Sequence, residues 1–124
     1  IRLSLVGSEM CIRDRYTNIN VNDENGLIVE IQNGEYIPAE RLSIGTIDQL
    51  YLSLRISMIE EISKEKMPII LDEAFAYFDD ERLENILKYL TQKYKQHQLI
   101  IFTCTNREKN ILDKLNCIYN SVEL

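Results

Sequence analysis

The sequence has few of the residues that build metal centres or disulfide frameworks. It contains one histidine, His97, and three cysteines, Cys11, Cys104 and Cys117, with no Cys-x-x-Cys pair. An odd number of cysteines without ligand spacing argues against a structural zinc site. Free thiols are compatible with a reducing compartment, so we expect a cytoplasmic location. His97 precedes an apolar run, and we expect it in a solvated loop.

A long apolar run and an excess of positive charge are also missing. No segment approaches the ~20 apolar residues that a transmembrane helix needs, so no membrane role is expected. The formal net charge is −6, from 14 basic and 20 acidic residues. A surface that mainly binds nucleic acid usually has the opposite sign. We therefore expect any DNA contact of the complete protein to lie largely outside this chain.

What is present suffices for one domain or for one lobe of a larger domain. The 124 residues are 45% hydrophobic and 27% charged, which is typical of a globular protein. Because the first residue is Ile1 rather than Met, we expect the sequence to begin within a longer gene. Residues 1–15 resemble translated sequencing-adapter sequence, and we interpret them as a non-native leader to a single unit over residues 16–124. The alternative is a short first strand from Leu3 to Val6.

The remainder predicts an α/β fold preceded by a small antiparallel β meander. Alternating apolar residues around two turn signals, 22–26 and Asn33-Gly34, predict three short strands between Tyr16 and Pro38. Helices and apolar strands then alternate, which predicts parallel strands with flanking helices and right-handed crossovers. The predicted elements are a helix over 43–63, a strand over 69–71 buried on both faces, a helix after Asp79-Asp80, a strand over 99–103, a helix over 107–115 capped by Asn106, and a last strand over 117–122.

Two acidic residues, Asp72 and Glu73, directly follow the first apolar strand. Ligands of open α/β sheets bind at the carboxyl ends of the strands, so both carboxylates are expected at that edge. Asp72 is suited to holding Mg²⁺ through water, and Glu73 to orienting or deprotonating an attacking water. The alternative is an acidic pair that only stabilises the start of the following helix through its dipole.

Upstream, the segment Leu42-Ser43-Ile44-Gly45-Thr46 opens the first helix, with Ser43 and Thr46 as candidate caps. A helix N-terminus with unpaired N–H groups and a hydroxyl can bind an anion. Gly45 allows the backbone to approach a phosphate closely. The alternative is a capped amphipathic helix without a ligand.

A third segment, residues 74–83, follows the acidic pair and contains Asp79. In this order the three segments resemble the C-terminal lobe of an ABC-type ATPase head of the SMC, RecN and SbcC kind, in the form found in YhaN-like proteins. The resemblance covers about residues 16–115. It implies a signature motif at Leu42–Thr46, a Walker B strand that ends in Asp72 and Glu73, and a D-loop around Asp79.

The resemblance also implies roles for these residues. The signature motif contacts the γ-phosphate of ATP held by the opposite subunit, and the D-loop aspartate crosses the dimer interface near the nucleotide. Asp72 is the magnesium residue and Glu73 the catalytic residue. The implied nucleotide-binding residues are Leu42, Ser43, Gly45, Thr46, Gln49 and Asp79.

The sequence departs from the family pattern in two places. Where the family carries a switch histidine that contacts the γ-phosphate, this chain has Thr105, which can donate a hydrogen bond but cannot carry a positive charge. The chain also lacks the phosphate-binding loop Gly-x-x-x-x-Gly-Lys-Ser/Thr, which SMC-like proteins carry in an N-terminal lobe beyond a long coiled coil. We therefore expect no ATP hydrolysis by this chain alone.

The function implied by the resemblance is ATP binding and hydrolysis, with Mg²⁺, at a head–head interface in DNA repair or chromosome maintenance. The implied partners are a second ATPase head, the N-terminal P-loop lobe and a nuclease subunit. DNA is expected to be contacted only through regions outside this chain. Two alternatives stay open. One is a fragment of an ABC transporter nucleotide-binding domain, against which the form Tyr77-Phe78-Asp79 speaks. The other is an ATP-dependent dimerisation switch with weak hydrolysis, because of Thr105.

Overall fold

The computed structural model describes residues 2–3, 16–22, 26–62 and 65–123. The predicted leader lies outside these residues except for Arg2 and Leu3. The elements, in chain order, are β1 (Arg2–Leu3), β2 (Tyr16–Asn22), β3 (Gly26–Ile31), β4 (Tyr36–Pro38), a short 3₁₀ helix (Ala39–Arg41), α1 (Ile44–Ile62), β5 (Ile69–Asp72), α2 (Asp80–Lys93), β6 (Leu99–Phe102) and α3 (Arg107–Lys114). Of the helices in this part of the chain, none combines the length and hydropathy that crossing a membrane requires.

The first sheet is antiparallel, with strand order β1-β2-β3-β4, and it confirms the predicted meander. Ile19 of β2 lies opposite Val29 of β3, which lies opposite Ile37 of β4. Gly34, between β3 and β4, has a φ of 83°, which a residue with a side chain rarely adopts. The side chains of Ile19 and Val29 are buried against Leu50 of α1, so the meander packs on the first half of that helix.

The second sheet pairs β5 with β6 in parallel, as predicted, and α2 is the crossover between them. Its register places Ile69 opposite Leu99 and Asp72 opposite Phe102. The apolar residues at helical spacing in α2 are buried, and together with the C-capping tyrosine they form much of the core on this sheet: Leu83, Ile86, Leu87, Leu90 and Tyr94.

Helix α1 lies between two cores, and this changes which of its residues are buried. Leu50 packs on the meander, whereas Leu52 and Ile56 join the core of the parallel sheet. Tyr51 and Met58, which also fall at helical spacing with the apolar residues of this helix, are exposed. A helix that contacts two separate cores has no single apolar stripe, so periodicity identified the helix but not its buried faces.

Three further expectations were wrong. Strand β5 is not buried on both faces, because Ile70 is 62% exposed while its neighbours Ile69 and Leu71 are buried. Residues 117–122 form no strand: Cys117 N–H bonds back to Leu112 O, and the Tyr119 hydroxyl donates back to Asp113. His97 is half-buried, with its ring packed edge-on against Tyr94, rather than solvated.

Candidate nucleotide site at the edge of the parallel sheet

The acidic pair lies at the carboxyl end of β5, as the sequence predicts. Asp72 is exposed, and its carboxylate makes no hydrogen bond or ion pair with the described residues. Glu73 N–H donates to Phe102 O at 3.0 Å, so the ladder between the two strands continues through this residue. The φ of Glu73 is 46°, a left-handed conformation that is uncommon outside glycine. Backbone strain of this kind concentrates at functional sites.

The Glu73 side chain reaches across to the loop that follows β6. Its Oε1 accepts a hydrogen bond from the backbone N–H of Cys104, next to Thr105. The pKa of the Cys104 thiol is raised, because the Glu73 carboxylate accepts a hydrogen bond from it and adds negative charge. The structure therefore brings Asp72, Glu73 and the predicted switch position together at one edge of the sheet.

We call residues 103–106 the switch loop. The Thr105 hydroxyl donates to Glu108 Oε2 at 2.9 Å, and the Thr103 hydroxyl donates to the same oxygen at 2.9 Å. Glu108 is only 6% exposed, so this carboxylate holds the loop from within the protein. Asn106 begins α3 but makes no capping hydrogen bond with its side chain, contrary to expectation. The Thr105 hydroxyl is thus already bonded to the first turn of α3.

The start of α1 is capped as predicted. Ser43 Oγ accepts from the backbone N–H of Thr46 at 3.3 Å and lies 2.8 Å from Thr46 Oγ1. The backbone N–H groups of Ile44 and Gly45 donate to no described residue, and the first turn carries no acidic side chain. Ser43 is exposed. An anion could therefore be bound at this helix end.

The other proposed signature residues point elsewhere. Thr46 and Gln49 are 5% and 1% exposed, so their side chains lie in the protein interior. Leu42 is half-buried and packs against the core of the meander. Among the predicted signature residues, a ligand could reach the exposed hydroxyl of Ser43 and the unpaired amide of the exposed Ile44, whereas Gly45 is buried.

Gly45 shows why the first turn of α1 needs a glycine. A Cβ at this position would lie 2.5 Å from the carbonyl oxygen of Tyr77 and 2.9 Å from Arg82 Nη1. The helix start therefore packs directly on residues 74–79, which we call the predicted D-loop. The sequence suggested a close approach to a phosphate, whereas the close approach seen here is to the chain itself.

Asp79 ends the predicted D-loop and caps α2. Its Oδ1 accepts from Arg82 N–H at 2.8 Å, and its Oδ2 lies 3.3 Å from Arg82 Nε. Its side chain remains 59% exposed. A capping role and a role toward a partner surface are thus compatible at this residue.

Sequence reasoning missed Arg107 and Glu108. Arg107 Nη2 donates to the carbonyl oxygen of Phe78 at 2.6 Å and to Asp80 Oδ1 at 3.0 Å, and its Nε donates to Asp80 at 3.2 Å. These contacts span 27 to 29 residues, so no local pattern reveals them. In the sequence, Arg107 and Glu108 stand out only as two charged residues in the first turn of a predicted helix.

The acidic pair also borders an open groove between α1 and β5. The groove has a volume of about 520 Å³. Leu52, Ile56 and the exposed Ile70 supply apolar surface, and Asp72 and Arg55 contribute charge. The groove leaves the carboxylates accessible from the side on which the sheet has no cover.

Asp72 and the start of α1 fit a magnesium ion and a phosphate group, but they do not complete a site for either. An exposed, unpaired carboxylate such as Asp72 suits a hydrated magnesium ion, which keeps much of its water shell. The described residues contain no cluster of three or more potential metal ligands, so a metal ion at Asp72 would need further ligands from elsewhere. The exposed helix start suits one phosphate group but does not enclose a triphosphate.

The antiparallel meander and the parallel sheet with its flanking helices form an α/β lobe whose fold is that of SMC head structures. The chain resembles two solved structures, one from work on the ATP-driven dimerization and DNA-stimulated activation of SMC ATPases and one of an Smc head bound to the C-terminal winged-helix domain of ScpA. The first has a TM-score of 0.60 at 18% identity, covering 77% of this chain and 62% of that chain. The second has a TM-score of 0.56 at 19% identity, covering 76% and 30%. At these identities the likeness establishes the fold.

Sequence relatives narrow the class. The chain is 31% identical over 98 residues to the uncharacterized protein YhaN of Bacillus subtilis, covering 77% of this chain and 10% of the relative. It is 30% identical over 100 residues to a Rad50 ATPase of DNA double-strand break repair from Methanococcus maripaludis, covering 81% and 10%. No family model matches the chain. The chain spans about a tenth of the length of these relatives, and it is a fragment of an SMC/Rad50-like ATPase head.

Proposed function

We propose that this chain supplies one half of an ATPase site, and that the complete protein binds and hydrolyses ATP between two heads. The observation that carries the proposal is the meeting of Glu73 with the switch loop at the open edge of the parallel sheet. Accessible carboxylates at this edge are where an α/β enzyme acts on its ligand.

Each residue has a defined task in this proposal. Asp72 holds the hydration shell of the magnesium ion, and Glu73 orients or deprotonates the attacking water. A general base of this type contributes roughly 10²–10⁴-fold in rate. When bound, Mg²⁺ neutralises charge on the phosphate oxygens. Ser43 and the free amide of Ile44 at the start of α1 bind the γ-phosphate of ATP that the opposite head holds.

The remaining half of the site comes from the P-loop lobe of the complete protein. The uncovered face of the parallel sheet supports this, since Ile70 and Phe102 are 62% and 48% exposed on it. Side chains of this size stabilise a protein when another segment buries them. The chain alone lacks the lysine and backbone amides of a phosphate cradle, so we expect it to show no ATPase activity.

The relatives support a role in DNA repair or chromosome maintenance. One relative is a DNA double-strand break repair ATPase, and one structural neighbour concerns ATP-driven dimerization and DNA-stimulated activation. We propose the same kind of head–head dimer for the complete protein, with a nuclease subunit as an additional partner. The net charge of −6 favours DNA contacts outside this lobe. These relatives favour the SMC-like interpretation over the transporter alternative.

A second candidate function is an ATP-dependent dimerisation switch with slow hydrolysis. The switch loop favours it, because the Thr105 hydroxyl donates to the buried Glu108 and the position carries no cation. A positive charge near the γ-phosphate stabilises the charge that develops in phosphoryl transfer.

The test is Glu73→Gln in the full-length protein, with Glu35→Gln, an exposed glutamate of the meander, as the matched control. We expect Glu73→Gln to lower the rate of ATP hydrolysis by about 10²-fold or more, while ATP-dependent dimers form and persist. Turnover is measured by phosphate release and dimers by light scattering. Turnover at the wild-type rate in Glu73→Gln would contradict the proposal. Dimers in a wild-type protein that turns over no ATP would favour the switch.

A further inference from the structure

We propose that Arg107 is a positioning residue that couples the switch loop to the predicted D-loop, and thereby one nucleotide site to the partner head. The proposal rests on the proposed function, because the D-loop must face a second head for the coupling to matter. It adds a residue to which the sequence comparison gave no role.

Arg107 reaches the predicted D-loop directly. Its Nη2 donates to Phe78 O at 2.6 Å, and Phe78 is buried and immediately precedes Asp79. The same guanidinium donates twice to Asp80 Oδ1, at 3.0 and 3.2 Å. A planar guanidinium with several donors fixes the direction of such contacts better than a single ammonium group does. Arg107 therefore contacts the backbone carbonyl before Asp79 and the side-chain carboxylate after it.

The same turn of α3 also holds the switch loop. The backbone N–H of Arg107 points at Thr105 Oγ1, at 3.5 Å, and the next residue, Glu108, accepts from both Thr103 and Thr105. A displacement of Thr105 therefore moves the start of α3, and Arg107 passes this movement to Phe78 and Asp79. One rigid helix start connects two loops that the sequence separates by more than 20 residues.

If Arg107 only stabilised the packing of α3 on α2, removing another α3–α2 ion pair would have the same effect on activity. Asp80 is 87% exposed, so its ion pair with Arg107 contributes little to stability. Lys114 forms a comparable exposed ion pair with Glu84 at 2.7 Å, which also joins α3 to α2 but touches neither loop. Lys114→Ala is therefore the matched control: it removes an α3–α2 contact and leaves the coupling intact.

The experiment compares Arg107→Ala, Arg107→Lys and Lys114→Ala in the full-length protein. Two quantities are measured, the amide hydrogen exchange of residues 76–80 and the steady-state kinetics of ATP hydrolysis. We expect Arg107→Ala to accelerate this exchange about tenfold or more. We expect it to lower kcat about tenfold with KM for ATP within about twofold of wild type. Arg107→Lys shifts both quantities in the same direction by less, and Lys114→Ala changes neither.

The two readouts separate this proposal from the proposed function. Unchanged D-loop exchange in Arg107→Ala overturns the coupling, and so does a Lys114→Ala variant with the same loss of kcat. Arg107→Lys keeps the charge and replaces the alanine variant if that variant does not fold. A wild-type protein without ATP turnover refutes the proposed function, and the exchange measurement still decides whether Arg107 holds the D-loop.

Discussion

Gly45 is the residue whose local geometry most directly links the start of α1 to the predicted D-loop. An added Cβ would lie 2.5 Å from Tyr77 O, and that backbone oxygen cannot swing away as the Arg82 side chain can. Alanine ordinarily stabilises a helix by about 1 kcal/mol relative to glycine. Overpacking costs about 1–3 kcal/mol, and the fixed backbone oxygen places Gly45 in the upper part of this range, so the unfavourable effect prevails.

We therefore expect Gly45→Ala to lower the free energy of unfolding of this chain by about 1–2 kcal/mol, measured by urea denaturation. Ile44→Ala is the control, because Ile44 is 61% exposed and its truncation is expected to cost no more than about 0.5 kcal/mol. A Gly45→Ala variant as stable as the wild type would show that the predicted D-loop moves freely away from the start of α1.

Individual residues also differ in whether their position in the site could be predicted from the sequence. Asp72 and Glu73 could be placed at the sheet edge, because an apolar strand followed by acids fixes their position along the chain. Glu108 could not be assigned, since its burial depends on two threonines that fold back over it. Neighbours in sequence reveal which element carries a residue, whereas the contacts of that residue depend on tertiary structure.

Among the elements, α2 is preceded by a capping residue, Asp79, with two roles that can be tested separately. Asp79 caps the helix through Arg82 N–H, and it is also the predicted D-loop aspartate. Asp79→Ala is expected to cost about 1 kcal/mol in the free energy of unfolding, whereas Asp79→Ser retains a capping oxygen and stays within a few tenths.

In the full-length protein the two variants test the interface role of the carboxylate. We expect Asp79→Ser to hydrolyse ATP more slowly than wild type despite its wild-type stability, because serine is too short and uncharged to replace a carboxylate at the partner surface. Equal destabilisation by serine and alanine would refute the capping role. Wild-type turnover in Asp79→Ser would refute the interface role.

The elements also show where pattern reasoning is weakest. The stripe of α2 was predictable because that helix packs on one core, and α1 was not because it packs on two. Residues 69–71 of strand β5 are all apolar, which predicted burial on both faces. Only one face is covered by the described residues, so the second apolar face is available to the proposed P-loop lobe.

At the scale of the whole molecule, that uncovered face is the surface on which a missing lobe would pack. Ile70 belongs to the sheet but contributes little to the core of this chain, because 62% of it is exposed. Its neighbour Leu71 points the other way and is buried. Substitutions of Ile70 therefore test association with another lobe, whereas substitutions of Leu71 test the stability of this chain.

We expect Ile70→Thr, which keeps a β-branched side chain, to change the free energy of unfolding of this chain by no more than about 0.5 kcal/mol. Leu71→Ala is expected to lower it by about 2–5 kcal/mol. The effects on binding of a separately produced P-loop lobe, measured by calorimetry, are expected in the opposite order. Ile70→Thr should weaken this binding more than Leu71→Ala does. Burying an isoleucine side chain contributes about 1.5–3 kcal/mol, so Ile70→Thr should weaken binding about 10- to 100-fold. Equal binding by Ile70→Thr and the wild type would show that the lobe packs elsewhere.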